Sequence, residues 1–122
     1  MKVSRVQWSP AIAAALEGAA RGDLAVIEAE VIQGVSDLWQ WEHDQGKGVM
    51  VTRQEPRELV IVVGAGTGSA PVIDHVTRRA LAAGLSLRTH IQRPGLRRIY
   101  ERAGWGLDEF VMRIRPDGQS QQ

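Results

Sequence analysis

The run Leu59-Val60-Ile61-Val62-Val63 most narrows what this chain can become. With no polar alternation and mostly β-branched residues, it suits a strand buried on both faces, in the middle of a sheet. It is far too short for a bilayer-spanning helix, which needs roughly 20 apolar residues. Gly64-Ala65-Gly66-Thr67-Gly68-Ser69 follows at once. A helix is then expected from Ala70 to Ala83, with Val72, Ile73, Val76 and Ala80 on one face and Gly84 as its stop. Leu85–Ile91 reads as the next strand. Strand, helix and strand in this order make one right-handed crossover, so 58–63 and 85–91 are expected to be parallel neighbours that diverge toward Gly64. Val60, Val62, Val72, Val76, Ile91, Leu96 and Ile99 are expected to point inward.

The upstream half is patterned differently. Ser9-Pro10 before Ala11-Ile12-Ala13-Ala14-Ala15-Leu16 is a helix start, with Ser9 as N-cap and Pro10 where its missing N–H costs nothing. Asp23 is expected to cap a second helix carrying Leu24, Ile27, Val31 and Ile32, which Gly34 ends. Extended segments Ser36–Asp44, Gly48–Gln54 and Glu58–Val63 then form an antiparallel meander, turned at Asp44-Gln45-Gly46-Lys47-Gly48 and at Glu55-Pro56-Arg57. Downstream, Pro94 opens a helix with Leu96, Ile99, Tyr100 and Ala103 on one face, stopped by Gly104. A last strand is expected over Leu107–Arg115. These elements define an α/β (α+β) chain with a mixed, mostly antiparallel central sheet flanked by helices. Residues 1–116 form one domain in this reading, and 117–122 a mobile tail.

With 43% apolar and 24% charged residues, the composition is that of a globular chain. The absence of cysteine excludes disulfides, thiolate nucleophiles and cysteine-held metals. No charged-then-apolar leader opens the sequence, so a cytoplasmic protein is expected. The net charge of +1 hides an asymmetry. Residues 1–77 carry 6 Lys/Arg against 10 Asp/Glu, whereas 78–115 carry 9 Arg against 3 acids. Arginine suits forked contacts with phosphate or carboxylate, which makes nucleic acid a candidate partner for the C-terminal half; a solvated helix face accounts for the same charges.

Glycines between a buried strand and a helix free backbone N–H groups to meet an anion at the helix N-terminus. A tight strand-to-helix turn without a ligand explains them equally. A dinucleotide fold is excluded, because the third glycine of its fingerprint falls on Ser69, Arg88 and His90 stand where the ribose-binding acid belongs, and only one crossover follows. His43, His75 and His90 lie on three separate elements without metal-ligand spacing, so no metal is expected. Gly66-Thr67-Gly68-Ser69-Ala70 lacks the glycine a nucleophile elbow needs two residues after its serine.

Arg93-Pro-Gly-Leu-Arg-Arg-Ile-Tyr-Glu-Arg-Ala-Gly-Trp105 carries a resemblance. Its Ile99-Tyr100-Glu101-Arg102-Ala103-Gly104-Trp105 resembles the C-terminal "lYekaGF" motif of the GNAT (GCN5-related N-acetyltransferase) superfamily, in short divergent members of the phage and prophage type. The glycine turn and the helix ending Arg79-Ala80-Leu81-Ala82-Ala83-Gly84 sit where that family keeps its pyrophosphate loop and following helix. The resemblance implies acetyl-CoA or another acyl-CoA bound between two splayed parallel strands, at Val62, Val63, Gly64, Ala65, Gly66, Thr67, Gly68, Ser69 and Ala70. It implies transfer to an amine of a small molecule or protein, with Tyr100 as the general acid toward the departing thiolate. Core packing explains Tyr100 equally well.

Two departures stand out. The loop holds no basic residue, and the asparagine usual seven residues before the tyrosine is Arg93. For a general base the sequence offers Glu42, His43 and Asp44. Two other functions remain open: a catalytically inactive structural or interaction protein, with a phage virion or host cytoplasm as its setting, and a nucleic-acid-associated modification protein.

Overall fold

A computed structural model of the protein describes residues 1–91, 94–108, 112 and 116. The chain runs β1 (Lys2–Arg5), α1 (Pro10–Ala20), α2 (Leu24–Ile32), β2 (Asp37–His43), β3 (Gly46–Glu55), β4 (Glu58–Gly66), α3 (Ala70–Ala82), β5 (Ser86–Thr89) and α4 (Pro94–Arg102). The strands lie side by side in chain order. β1 to β4 are antiparallel, and β5 joins β4 in parallel through α3.

The meander and the crossover are as expected, but the sheet gains an edge strand. β1 pairs Lys2–Arg5 with Glu42–Trp39. Four residues with a charge at either end carry little strand signal, and short charged strands suit a sheet edge. The β2–β3 turn is tighter than expected: only Asp44 and Gln45 remain outside the strands, and His43 pairs with Gly46.

α1 begins as predicted, Ser9 Oγ accepting from the Ile12 N–H at 3.3 Å. It ends with Arg21 in the left-handed region (φ 48) and Gly22 (φ 92). Asp23 occupies the N-cap position of α2, but its side chain makes no capping bond.

Two cores sit on opposite faces of the sheet. Leu16, Ala20, Ile27, Leu38, Val49, Val51 and Val63 join α1 and α2 to one face. Trp41, Met50, Ile61, Val72, Ile73 and Tyr100 join α3 and α4 to the other. Of the positions expected to be inward, Val60 and Val72 are buried, and Val62, Val76, Leu96 and Ile99 half-buried. Ile91 is 37% exposed because β5 stops at Thr89, two residues short of the expected strand. Leu107, Asp108 and Met112 belong to no strand; the rest of the expected segment Leu107–Arg115, Arg93 and the tail 117–122 lie outside the described residues.

Candidate functional site

β4 leaves its parallel neighbour before it ends. The β4–β5 ladder runs from Glu58↔Ser86 to Ile61↔Thr89, whereas β4 stays paired with β3 as far as Gly48↔Gly66. The register breaks where the two part. Val51 faces Val63 while Thr52 faces Ile61, which leaves Val62 as the extra residue of a β-bulge. A bulge bends its strand and increases the twist, so it turns the last third of β4 away from β5.

The glycine stretch is less of a loop than the sequence suggests. Gly64, Ala65 and Gly66 remain in the strand, leaving Thr67, Gly68 and Ser69 to turn the chain into α3. The hairpin of β2 and β3 holds that turn. Thr67 N–H donates to the Lys47 carbonyl (3.0 Å), and Lys47 N–H donates back to Thr67 Oγ1 (3.3 Å). Trp41 Nε1–H donates to the Thr67 carbonyl (2.9 Å), and His43 Nε2 meets the Gly68 carbonyl at 2.7 Å.

Packing explains several of the glycines. A Cβ on Gly66 (φ 136) would fall 2.4 Å from Gly48 Cα and from the Lys47 carbonyl, and one on Gly48 would fall 2.3 Å from the Trp41 ring. A Cβ on Gly68 (φ 65) would meet the His43 ring at 2.6 Å. Gly64 is different, since a Cβ there meets only the Val49 carbonyl at 3.6 Å.

Ser69 stands at the N-cap of α3 without a side-chain capping bond, and the first turn of the helix holds no acidic residue. Among the described residues no acceptor meets the N–H groups of Gly68, Ser69, Ala70 or Val72, and Pro71 has none to offer. An α3 N-terminus of this kind presents unpaired donors and the positive end of the helix dipole together.

Tyr100 lies on α4, 6% exposed, in the same buried cluster as Trp41 and Val72 from the turn region. Burial pushes its phenol above the ordinary value of 10.0, and the Thr89 hydroxyl beside it offsets part of that rise. Thr89 is the last β5 residue in the ladder, and its Oγ1 donates to the Ile61 carbonyl at 3.0 Å. The phenol therefore sits where β4 and β5 part. Its ring meets Trp105 edge-on, centroids 4.8 Å apart, and Trp105 Nε1–H donates to Thr77 Oγ1 on α3 (2.9 Å).

The structure thus brings Tyr100 and the turn onto one core. It removes His43 from the candidate bases. Gly68 offers a carbonyl, so Nε2 carries the proton, and Gln45 N–H donates to Nδ1 at 3.1 Å, so neither nitrogen has a free lone pair. Glu42 and Asp44 are exposed beside it. The anchoring role of Trp41 and His43 escaped the sequence reading. Its only trace is their i, i+2 spacing on one strand opposite Gly46 and Gly48 on the next.

Several C-terminal arginines are bonded to acids: Arg78 to Asp74, Arg88 to Glu55 and Glu58, and Arg97 to Glu101. Two cavities open elsewhere on the described residues. One of about 310 Å³ lies against α1 and α2 and includes Val62 of the bulge, with Arg53 and Glu30; a wider groove of about 910 Å³ runs past Trp8 and Glu28 near β1. Among the described residues no three His, Asp or Glu side chains gather as metal ligands, and no helix is long and apolar enough to cross a membrane.

An acetyltransferase from Bacillus subtilis, solved in complex with CoA, aligns with 93% of this chain and 77% of its own at a TM-score of 0.65 and 14% identity. A probable acetyltransferase aligns with 95% of this chain and 98% of its own, at a TM-score of 0.61 and 12% identity. No protein-family model and no curated protein matches the sequence. At these identities the likeness is one of fold: the chain has a GNAT-like fold, a mixed, mostly antiparallel sheet flanked by helices.

Proposed function

We propose that the protein is an acyl-CoA-dependent N-acyltransferase, with acetyl-CoA as donor and an amine of a small molecule or protein as acceptor. The observation that carries this is the place of Tyr100, a buried phenol set beside Thr89 at the point where the parallel ladder ends. The N–H groups of Gly68, Ser69, Ala70 and Val72, which meet no acceptor among the described residues, support it, as does the fold shared with an acetyltransferase solved with CoA.

In this reading Val62 to Ala70 hold the cofactor. Among the described residues no strand pairs with the β5 side of Val62, Val63, Gly64 and Ala65 beyond the bulge, and the α3 N-terminus meets the pyrophosphate with backbone N–H groups. Bound acyl-CoA supplies a thioester carbonyl for the amine to attack. Transfer would form the C–N bond and break the C–S bond, with the amine's proton lost to solvent, while Tyr100 would protonate the departing sulfur and regain a proton from solvent. The phenol is protonated at neutral pH, as a proton donor must be.

The test is calorimetric titration with acetyl-CoA, followed by thiol release with a panel of amines. Saturable binding and amine-dependent release are the expected results. No binding at millimolar acetyl-CoA would leave the fold without this activity.

A further inference from the structure

From the two ring donors on β2, we infer that Trp41 and His43 are positioning residues that aim the backbone of the glycine turn at an anion. The proposal rests on the reading that the CoA pyrophosphate binds there and adds how a loop without a basic side chain is held ready for it.

The geometry follows from the planarity of the trans peptide, in which the C=O of one residue and the N–H of the next point in opposite directions. The described chain contains no cis peptide bond. Trp41 Nε1–H draws the Thr67 carbonyl toward β2, so the Gly68 N–H faces away from it. His43 Nε2–H draws the Gly68 carbonyl the same way, so the Ser69 N–H also faces away. Two successive peptide planes are thereby set by two side chains from one strand. Gly68 at φ 65 followed by Ser69 at φ −76, ψ −21 is the left-then-right sequence that turns successive N–H groups into one concavity.

Both rings are themselves held. Trp41 is 2% exposed, and the His43 side chain 7%. Gln45 N–H on Nδ1 fixes the His43 tautomer that donates from Nε2. Gly46 and Gly68 leave the room: a Cβ on Gly46 would fall 2.4 Å from the Thr67 carbonyl, and one on Gly68 would enter the His43 ring. The donors therefore act before any ligand arrives, which lowers the ordering cost of binding.

The test pairs His43→Leu, which removes the donor and fills the space, with His43→Gln, whose side-chain amide can donate from a similar place. Trp41→Phe is compared with Trp39→Phe, because Trp39 Nε1–H makes the same kind of bond on the same strand, to Thr52 Oγ1 (2.9 Å), away from the turn. Two readouts are taken on folded variants: N–H residual dipolar couplings of Gly68 and Ser69 without ligand, and calorimetric titration with CoA. His43→Leu and Trp41→Phe are expected to change those couplings and weaken CoA binding about tenfold, the scale of one lost bond that orients charge-binding donors. His43→Gln and Trp39→Phe should stay within about threefold of the parent. Unchanged couplings in His43→Leu would overturn the positioning role whatever the affinity does. Couplings that move as expected while the parent fails to bind CoA at millimolar concentration would overturn the ligand assignment, and the function reading with it.

Discussion

The two faces of the sheet are built from different materials. Against α1 and α2 the buried core is aliphatic, with Leu16, Leu38 and Val51 at 0 to 1% exposure and the partly buried Trp8 packed against it. Against α3 and α4 it is rich in groups with an apolar body and a polar tip. Trp41 reaches the Thr67 carbonyl, Trp105 reaches Thr77, and Tyr100 lies beside Thr89. Dispersion and dehydration can close the first face with any well-fitting hydrocarbon. The second face must also satisfy each ring's polar atom, and doing so fixes where its helices and turn lie. The aliphatic face supports the sheet, while the aromatic face specifies positions along it.

That contrast can be broken at several points. Gly66→Val should cost roughly 4 kcal/mol of unfolding free energy, read by urea denaturation, because it forces a branched side chain to φ 136 against two backbone atoms. Gly66 is therefore a poor probe of ligand binding alone. Gly64→Ala, with only a 3.6 Å contact to meet, tests the same strand with a loss of less than about 1 kcal/mol.

Leu16→Ala should cost about 3 kcal/mol through lost burial and a cavity, yet leave the CoA affinity of the folded protein unchanged. A matching loss of affinity would show that the aliphatic face does more than support. Tyr100→Phe inverts that pattern: single-turnover acyl transfer should fall about 10²-fold, equivalent to roughly 2.7 kcal/mol of barrier, with little change in melting temperature. Normal transfer by this variant would reduce Tyr100 to packing. Trp105→Phe should cost about 1 to 2 kcal/mol, chiefly by leaving Thr77 Oγ1 without its indole donor.

The smallest effect is alkaline. Since the folded phenol titrates above 10.0, the unfolded chain releases that proton first, so the protein should lose stability as pH rises past 10. Tyr100→Phe should remove that component of a pH-dependent melting series.

Much of the fold was legible because it is written in patterns that need no partner. The β4 run, the α3 and α4 faces and the Ser9-Pro10 start each declare a local preference that packing then confirms. β1 was invisible because four residues with terminal charges make a strand only when β2 is there to pair with them. The site was legible in part. Gly64 to Ser69 marked the correct place, but the tight neighbours of Gly66 and Gly68 come from Lys47, Gly48 and His43, about 20 residues earlier in the chain. Spacing along a strand cannot disclose a contact made across a sheet. The bulge was hidden for the same reason, since nothing in four successive β-branched residues says which one is left unpaired.

That unpaired residue makes β4 sensitive to length rather than to composition. With Val62 as the surplus position, Val62 and Val63 both pack toward the aliphatic core, although neighbours on a regular strand face opposite ways. Excising that residue would make Thr52↔Ile61 and Val51↔Val63 successive pairs of a regular ladder, so every later side chain of the strand would keep its face. Gly66 would still meet Gly48, and Thr67 the donors on β2 and β3 that hold it, but the bend that the bulge puts into β4 would be lost. A single-codon deletion at Val62 would therefore act on the divergence of β4 from β5 and leave the register intact, while swapping Val62 for Ile would pass almost unnoticed.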